Sequence, residues 1–525
     1  MERSNRREFL SQVGQMVLVA SVGTGAACEL GIAPAAADEG TERLAFDRLE
    51  PLACLLQETP VSRLLPELVA RVRSGTGLAD LVAAAALANA RTFGGEHYRG
   101  FHTFMALAPA YRMAKELPAA RRPLPVLKVL YRNTDLMQEA GGRARETLRP
   151  VKPAELPHRS QGAELLRAAN RRGDMERSEA IFAALIQGTP ESAFNDLLLR
   201  VEDRGDVHTT VLVWRAWEML DLTGRRFAHA LLRQSVRHCI TEAAGISCPD
   251  RIGPLLEKYR LLDGALGNRR AEDAFVEQLG LTLLGSPPAQ AAEAVAAALR
   301  DGYAPEEVGE AISLAANQLV LRQVAFWEKG LGARVHGDSP GVHASDATNA
   351  WRNIVRVANP RHQAAGLLVA AANVAESLHW SEDPRYRGHG RQPWPLPEHL
   401  ETVAGVPAAM LLSKLDDAIR ARDQARACAL VHRYGVLALP PRPVFDLLLK
   451  YAISEDGRLH AEKYYRTVAE EFATTRPAFR WRQLAALARV TASEFGFSEA
   501  DTPGNHRAAG YEEACVLLGV GADRR

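Results

Sequence analysis

A histidine at the start of a helical segment recurs four times along this chain, and the recurrence limits what the chain can fold into. In each copy the histidine follows a turn that contains glycine, and an amphipathic run continues from it. The four copies contain His102, His208, His343 and His460. Repeated units of this kind are typical of helical elements that must pack against one another to bury their apolar faces. The pattern predicts a helical protein built from similar pieces.

The composition favours helices along the whole chain from about residue 42. Alanine and leucine dominate, and alternating runs of β-branched residues, which would indicate strands, are rare. The segment 78–91, for example, repeats Leu81, Ala84, Ala85 and Ala88 at helical spacing. The sequence therefore predicts an all-α fold.

Two long parts of the chain carry the same features in the same order, which predicts an internal duplication. Arg73-Ser74-Gly75 matches Arg300-Asp301-Gly302, and the apolar runs that follow them also align. Phe194–Arg200 matches Phe445–Lys450 with one residue fewer. We expect an N-terminal half at 42–284, a C-terminal half at 285–500 and a tail at 501–525. Two such halves packed face to face would bring equivalent residues near a shared pseudo-twofold axis.

The first residues resemble a twin-arginine export signal. Asn5-Arg6-Arg7-Glu8-Phe9-Leu10 carries the paired arginines, although Asn5 and Ser11 depart from the usual pattern. A modestly apolar stretch and Ala35-Ala36-Ala37 follow, as before a cleavage site. The resemblance implies a signal peptide at 1–37, passage through the twin-arginine translocon, and a periplasmic or extracellular protein. The alternative is a basic, disordered N-terminus. The apolar stretch is too short for a stable membrane span.

Charge and cysteine usage exclude several other classes. The formal net charge of +1 gives no electrostatic case for a nucleic-acid partner. The six cysteines are scattered and form no CxxC pair, so they do not predict a disulfide framework.

The four repeated histidines are candidate metal ligands and catalytic groups. Neutral imidazole is the commonest metal ligand near neutral pH, and helical bundles build metal sites from inward-facing side chains. They could bind iron or another transition metal, or supply axial ligands to a haem. Asp346 follows His343 at i, i+3 spacing, which places both on one helix face. Four residues near the same segments are candidates for cofactor binding: His97, His362, Trp351 and Arg352.

A structural role for the histidines is the competing interpretation. Each would then bond a backbone group and hold neighbouring repeats together. The HExxH and CxxCH signatures are absent from the sequence. Gly337-Asp338-Ser339-Pro340-Gly341 matches the nucleophile-elbow pattern, but Pro340 has no N–H to hold an oxyanion, so we expect a turn there.

Two of the histidine segments resemble those of the questin-oxidase family. Gly100-Phe101-His102-Thr103-Phe104-Met105-Ala106-Leu107 with Tyr111-Arg112 is similar to one of them, and Val342-His343-Ala344 with Asn349–Arg352 is similar to another. The resemblance covers short segments only. It implies an all-helical enzyme of oxygen-dependent chemistry on an aromatic substrate.

These observations lead to one main hypothesis and two alternatives. The main hypothesis is an exported metal- or oxygen-dependent oxidoreductase that acts on a small organic, for instance aromatic, substrate at a histidine cluster between the two halves. The first alternative is a non-catalytic helical-repeat binding protein, for which we expect the histidines to be dispersed. The second is a metal-free hydrolase or isomerase that uses a histidine with Asp206 or Asp346.

Overall fold

The computed structural model describes residues 43–241, 249–323, 327–328, 332–333, 337, 339–381, 392–496 and 510–521. The predicted signal peptide lies outside these ranges. Within them the chain forms 23 α-helices and a few short 3-10 turns. One two-residue antiparallel pair joins Trp327–Glu328 to Gly332–Ala333. The all-α prediction is confirmed.

The helices follow one another through short connections. The N-terminal part of the chain forms α1 (Glu50–Glu58), α2 (Val61–Arg73), α3 (Leu78–Phe93), α4 (Tyr98–Glu116), α5 (Pro123–Glu139), α6 (Gly162–Arg171), α7 (Met175–Leu185), α8 (Pro190–Arg204), α9 (Val207–Thr223), α10 (Ala228–Thr241) and α11 (Pro249–Lys258). The C-terminal part forms α12 (Asp273–Leu284), α13 (Pro288–Arg300), α14 (Pro305–Arg322), α15 (Pro340–Val355), α16 (Pro360–Ser381), α17 (Pro397–Val403), α18 (Leu411–Arg420), α19 (Gln424–Val436), α20 (Arg442–Ala452), α21 (Arg458–Thr474), α22 (Arg480–Glu494) and α23 (Tyr511–Leu518).

Two of the helices that carry the repeated histidines begin at an aspartate or serine cap. Asp206 accepts hydrogen bonds from the N–H groups of His208 (3.0 Å) and Thr209 (3.1 Å) at the start of α9. Ser339 accepts one from the N–H of Val342 (3.4 Å) at the start of α15, and Pro340 occupies the first helical position. These caps satisfy backbone donors that a helix start leaves open. The turn predicted at Ser339 is therefore a helix cap.

The four histidine-bearing helices form the centre of the fold. Helix α4 packs on α9 and α21, and α15 packs on the same two neighbours. Arg112 on α4 faces Glu218 on α9 at 3.7 Å, and Asn353 on α15 donates to Glu470 on α21 at 3.0 Å. All four residues lie on the C-terminal side of the histidine in their helix. The rings of the histidines themselves lie within 5.6 Å of their neighbours, so the helices of each pair run parallel and the four N-terminal ends meet at one end of the bundle.

The segment predicted as a tail contains a packed helix. Helix α23 contacts α2 and α5, and Tyr511 at its start is buried. The N–H of Tyr511 donates to the carboxylate of Glu455 at 2.6 Å. Part of the predicted tail therefore belongs to the folded body.

Each helix within the described ranges is too short or too polar to span a lipid bilayer.

Candidate functional site

The structure brings the four repeated histidines together at the end of the central bundle. Their rings follow one another in a closed cycle. The distance between ring centroids is 4.9 Å from His102 to His208 and 5.6 Å from His208 to His343. It is 5.5 Å from His343 to His460 and 5.6 Å from His460 back to His102. We refer to these four residues as the histidine cluster.

Helix geometry explains how residues so far apart in sequence reach one place. Each cluster histidine lies within the first five residues of its helix. Because the N-terminal ends of the four helices meet, their first turns face a common region. The positive end of a helix dipole disfavours a protonated imidazole at that position. The placement therefore favours the neutral form of the rings.

Backbone hydrogen bonds fix the tautomer of two of the rings. A carbonyl can only accept, so Nδ1 of His102 donates to the carbonyl of Tyr98 at 2.8 Å. Nδ1 of His343 donates to the carbonyl of Ser339 at 3.1 Å. In the neutral form of both rings the proton is therefore on Nδ1, and Nε2 carries the lone pair that can bind a ligand. Metal-binding histidines commonly use this arrangement, in which a backbone carbonyl orients the ring.

The Nε2 atoms of all four rings are buried. Among the described residues, Nε2 of His102 and Nε2 of His208 have no hydrogen-bond partner. A buried polar atom without a partner costs about 1–3 kcal/mol. A bound ligand or a buried water molecule would satisfy both atoms.

Burial favours the neutral form of three of the four cluster rings. It lowers the pKa of His102, His208 and His460 well below the usual value of 6.5. The nearby ammonium of Lys463 lowers the pKa of His102 and His460 further. A neutral imidazole is the form that binds a metal ion.

Charged groups lie one helical turn below the cluster. Asp346 follows His343 on α15, and Lys463 follows His460 on α21 at the same spacing. Burial raises the pKa of Asp346, while Lys463 and a 2.7 Å hydrogen bond from Thr467 oppose that rise. The prediction that Asp346 shares a face with His343 agrees with this geometry. Lys463 was not predicted as a neighbour of the cluster, although it follows His460 at the same i, i+3 spacing that identified Asp346.

An aromatic flank closes the side of the cluster formed by α4 and α9. The ring of Phe101 lies 4.8 Å from His102 and 5.5 Å from His208. It also lies 4.8 Å from His238, whose Nδ1 donates to the carbonyl of Gly95 at 3.0 Å. Gly95 has φ +82°, and a Cβ there would collide with the carbonyl oxygen of Gln234. His238 is outside the repeated pattern, so only the fold identifies it as a neighbour.

The residues predicted to assist cofactor binding make other contacts. His97 caps α4 by accepting from the N–H of Gly100 at 3.0 Å, and it stacks on Phe93. His362 bonds to the carboxylate of Glu202. These contacts are those of a helix cap and of a buried hydrogen bond to a carboxylate.

Trp351 and Arg352 lie further along α15 than His343. Trp351 is fully buried against Gly366, where a Cβ would come within 2.6 Å of the indole. Arg352 pairs with the buried carboxylate of Glu471 and lines a separate cleft near Arg356. Neither has a described contact with the cluster rings.

The cluster is not already closed around one point. Within the described ranges, no three histidine, cysteine, aspartate or glutamate side chains meet at the spacing of a metal site. The four described cysteines, Cys54, Cys239, Cys428 and Cys515, form no disulfide bond with one another. Any metal ion bound by the cluster would therefore require the rings to move inward.

Comparison with known proteins adds no relative. No protein-family model matches the chain. No curated protein and no solved structure matches it either. Arguments about function consequently rest on the site itself.

Proposed function

We propose that this protein is a metal-dependent oxidoreductase in which the histidine cluster binds one transition-metal ion through Nε2. The observation that carries the proposal is the closed cycle of four imidazoles with buried Nε2 atoms, two of which have no hydrogen-bond partner in the described part of the chain. A bound ion would satisfy these atoms.

The spacing of the rings is close to what one ion requires. Metal–nitrogen bonds of about 2.0–2.1 Å place neighbouring ring centroids about 4.5 Å apart in a square arrangement and about 5.2 Å apart in a tetrahedral one. The observed neighbours are 4.9–5.6 Å apart. An inward movement of about 1 Å or less would therefore close the cluster.

The ligand type restricts the metal. Four imidazoles without a thiolate or carboxylate ligand suit zinc, copper, iron or nickel. Oxidation chemistry requires a redox-active member of this group, such as iron or copper. A haem would need a wide slot between two axial ligands, and four neighbouring rings in mutual contact favour a single ion instead.

The surrounding residues would divide the remaining tasks. A redox metal supplies one-electron and oxygen chemistry, and the protein supplies orientation and proton transfer. Asp346 is buried below the cluster, and burial raises its pKa toward the range of a proton donor or acceptor. Lys463 lies close enough to lower the pKa of three cluster histidines, and would stabilise negative charge that develops on a substrate.

The order of the helices supports an internal duplication as the origin of the cluster. The backbone turns left-handed at Gly75 (φ +102°) and at Gly302 (φ +87°), which the sequence alignment makes equivalent. Asp174 caps α7 and Asp423 caps α19 by the same hydrogen bond to the third residue on. In a duplicated chain His102 would correspond to His343, and His208 to His460. The two members of each pair lie opposite each other in the cycle, which is what a pseudo-twofold axis would produce.

We further propose that the protein is exported through the twin-arginine translocon to the periplasm or beyond. The paired arginines Arg6-Arg7 and the alanines before Asp38 support this. A folded protein with a preloaded metal ion is a suitable cargo for that pathway.

The binding-protein alternative predicts dispersed histidines, and separations of 4.9–5.6 Å argue against it. The hydrolase alternative requires Asp206 or Asp346 as its carboxylate. Asp206 already accepts hydrogen bonds as the cap of α9, which argues against it in that role. A purely structural role for the cluster would not explain why the Nε2 atoms of His102 and His208 are buried without a hydrogen-bond partner among the described residues.

Elemental analysis tests the proposal. We expect about one iron or copper ion per chain in the purified protein, and its loss in the double variant His343→Ala/His460→Ala. The control variant His432→Ala removes a partly buried histidine on α19 and should keep the metal. If the unaltered protein contains no metal and takes none up from iron(II) or copper(II) solutions, the proposal is wrong.

A further inference from the structure

Tyr98 marks the accessible edge of the histidine cluster. Its side chain is 55% exposed, and it is the one aromatic ring among the exposed large hydrophobic side chains of the described chain. Its ring centroid lies 4.5 Å from that of His102 and 5.7 Å from that of His208. An aromatic surface open to solvent therefore touches two of the residues that the proposed function assigns to the metal.

The edge of the cluster is not symmetric. Tyr98 precedes His102 by four residues and so lies on the same helix face. The residues four positions before the other cluster histidines are all polar, namely Arg204, Ser339 and Asp456. Only the copy that contains His102 thus has an aromatic residue at this position. A substrate that enters beside Tyr98 meets an apolar surface on that side.

We propose that Tyr98 is a specificity residue against which a flat, unsaturated organic substrate packs when it reaches the cluster. This inference rests on the proposed function, because it takes the cluster as the reacting centre. Small-molecule sites are lined mainly by apolar and aromatic side chains with a few polar groups. Tyr98 and Phe101 supply the apolar part, and their rings are in contact at 5.4 Å. A planar aromatic ring can stack on the tyrosine ring and gain binding energy from that contact, whereas a puckered saturated ring cannot stack in this way.

The chain allows this role to be separated from metal binding. The carbonyl of residue 98 orients His102, and it remains whatever side chain residue 98 carries. A side-chain substitution therefore changes the stacking surface and leaves the hydrogen bond to the ring nitrogen. Tyr98→Leu keeps an apolar side chain and removes the ring, whereas Tyr98→Phe keeps the ring.

The experiment measures the binding of 2-naphthol and decahydro-2-naphthol to the metal-loaded mature protein by calorimetry. The two probes share the hydroxyl group and differ in planarity. We expect the unaltered protein to prefer 2-naphthol. Tyr98→Leu should reduce the affinity for 2-naphthol about twofold to tenfold, the usual range for one aromatic contact, and should leave the other probe unchanged. Tyr98→Phe should retain the preference.

Tyr111→Leu is the matched control. Tyr111 is on the same helix, where the ammonium of Lys115 covers its ring at 4.5 Å, and we expect its replacement to leave both affinities unchanged. Equal affinity of the unaltered protein for the two probes overturns the inference. So does an unchanged preference in Tyr98→Leu. In either case, a metal content of one ion per chain would leave the proposed function standing. Absence of metal, measured separately, would remove the proposed function itself.

Discussion

Replacing Lys128 by methionine tests a buried contact between the two predicted halves beside the histidine cluster. Lys128 is on α5, and its partner Glu462 is on α21, two residues after His460. Both side chains are fully buried, and the ammonium nitrogen lies 2.7 Å from the carboxylate. The ammonium also donates to the carbonyl of Ser454 at 2.7 Å. The contact therefore holds the first turn of α21, which contains a cluster histidine.

The burial of both groups sets the size of the effect. Removal of one member of a buried ion pair typically costs about 3–5 kcal/mol, because the other charge stays buried without compensation. We expect Lys128→Met to lower the free energy of unfolding by this amount at pH 8. Replacement of both residues by methionine should be far less damaging, because no charge is then left behind. The two single substitutions should consequently be strongly non-additive.

The effect should also depend on pH. Burial raises the pKa of Glu462, and Lys128 opposes the rise. Without Lys128 the folded-state pKa of this carboxyl rises further above its unfolded value. A carboxyl with a raised pKa loses stability as the pH climbs from the unfolded to the folded pKa. The defect of Lys128→Met should therefore shrink as the pH is lowered toward 4.5, the ordinary glutamate pKa.

Urea unfolding followed by circular dichroism measures these differences for the two single variants and the double variant. Lys414→Met is the control, since it removes an exposed ion pair with Asp417 that should contribute at most about 1 kcal/mol. A loss below about 1 kcal/mol in Lys128→Met, or additive effects of the two single substitutions, would refute the reasoning.

Three further predictions follow from the site and its supports. Burial lowers the pKa of His102, His208 and His460, so below pH 6.5 the unfolded chain binds more protons than the folded chain. Metal-free protein should therefore lose up to about 4 kcal/mol of stability for each unit by which the pH falls below 6.5. Urea midpoints that stay constant between pH 7 and 5 would contradict this. Deletion of 510–525 removes the buried Tyr511 side chain and the hydrogen bond from its backbone N–H to Glu455. The deletion should lower stability by at least about 1.5–3 kcal/mol and reduce metal occupancy. An unchanged melting temperature would contradict this prediction. Gly95→Ala should lower the free energy of unfolding by about 1–3 kcal/mol or more, because Gly95 has a positive φ and its added Cβ would meet Gln234. Gly75→Ala should lower it less, because Gly75 has a positive φ but nothing within 4 Å of the added Cβ. Equal losses of stability in thermal denaturation would show that the contact with Gln234 is harmless.

The four cluster histidines could be predicted because each obeys the same local rule. A glycine-containing turn ends one segment, the next helix begins, and the histidine lies in its first turns. Local rules of this kind are visible in one sequence without any knowledge of packing. Asp346 was predicted for the same reason, since i, i+3 spacing on a helix is local.

The other neighbours of the cluster could not be predicted. His238 reaches Phe101 from α10, and no spacing in the sequence connects the two. Lys463 resembles any lysine on an exposed helix face until the packing of α21 buries it. Tyr98 could not be distinguished from a core aromatic residue. Conversely, Trp351 and Arg352 are close to His343 in sequence, but the helix carries them away from the cluster into the core.

By itself the sequence determined that this chain is helical and that four histidines lie near the starts of helices. Both properties depend on interactions between residues a few positions apart, which a linear pattern displays. Only the tertiary structure decided that α4, α9, α15 and α21 pack with their N-terminal ends together and bring the four rings within 5.6 Å of their neighbours. That outcome depends on the shapes and buried charges of helices distant in sequence, including the pair Lys128–Glu462. Burial and proximity, which make an imidazole a candidate ligand, are properties of the packed chain.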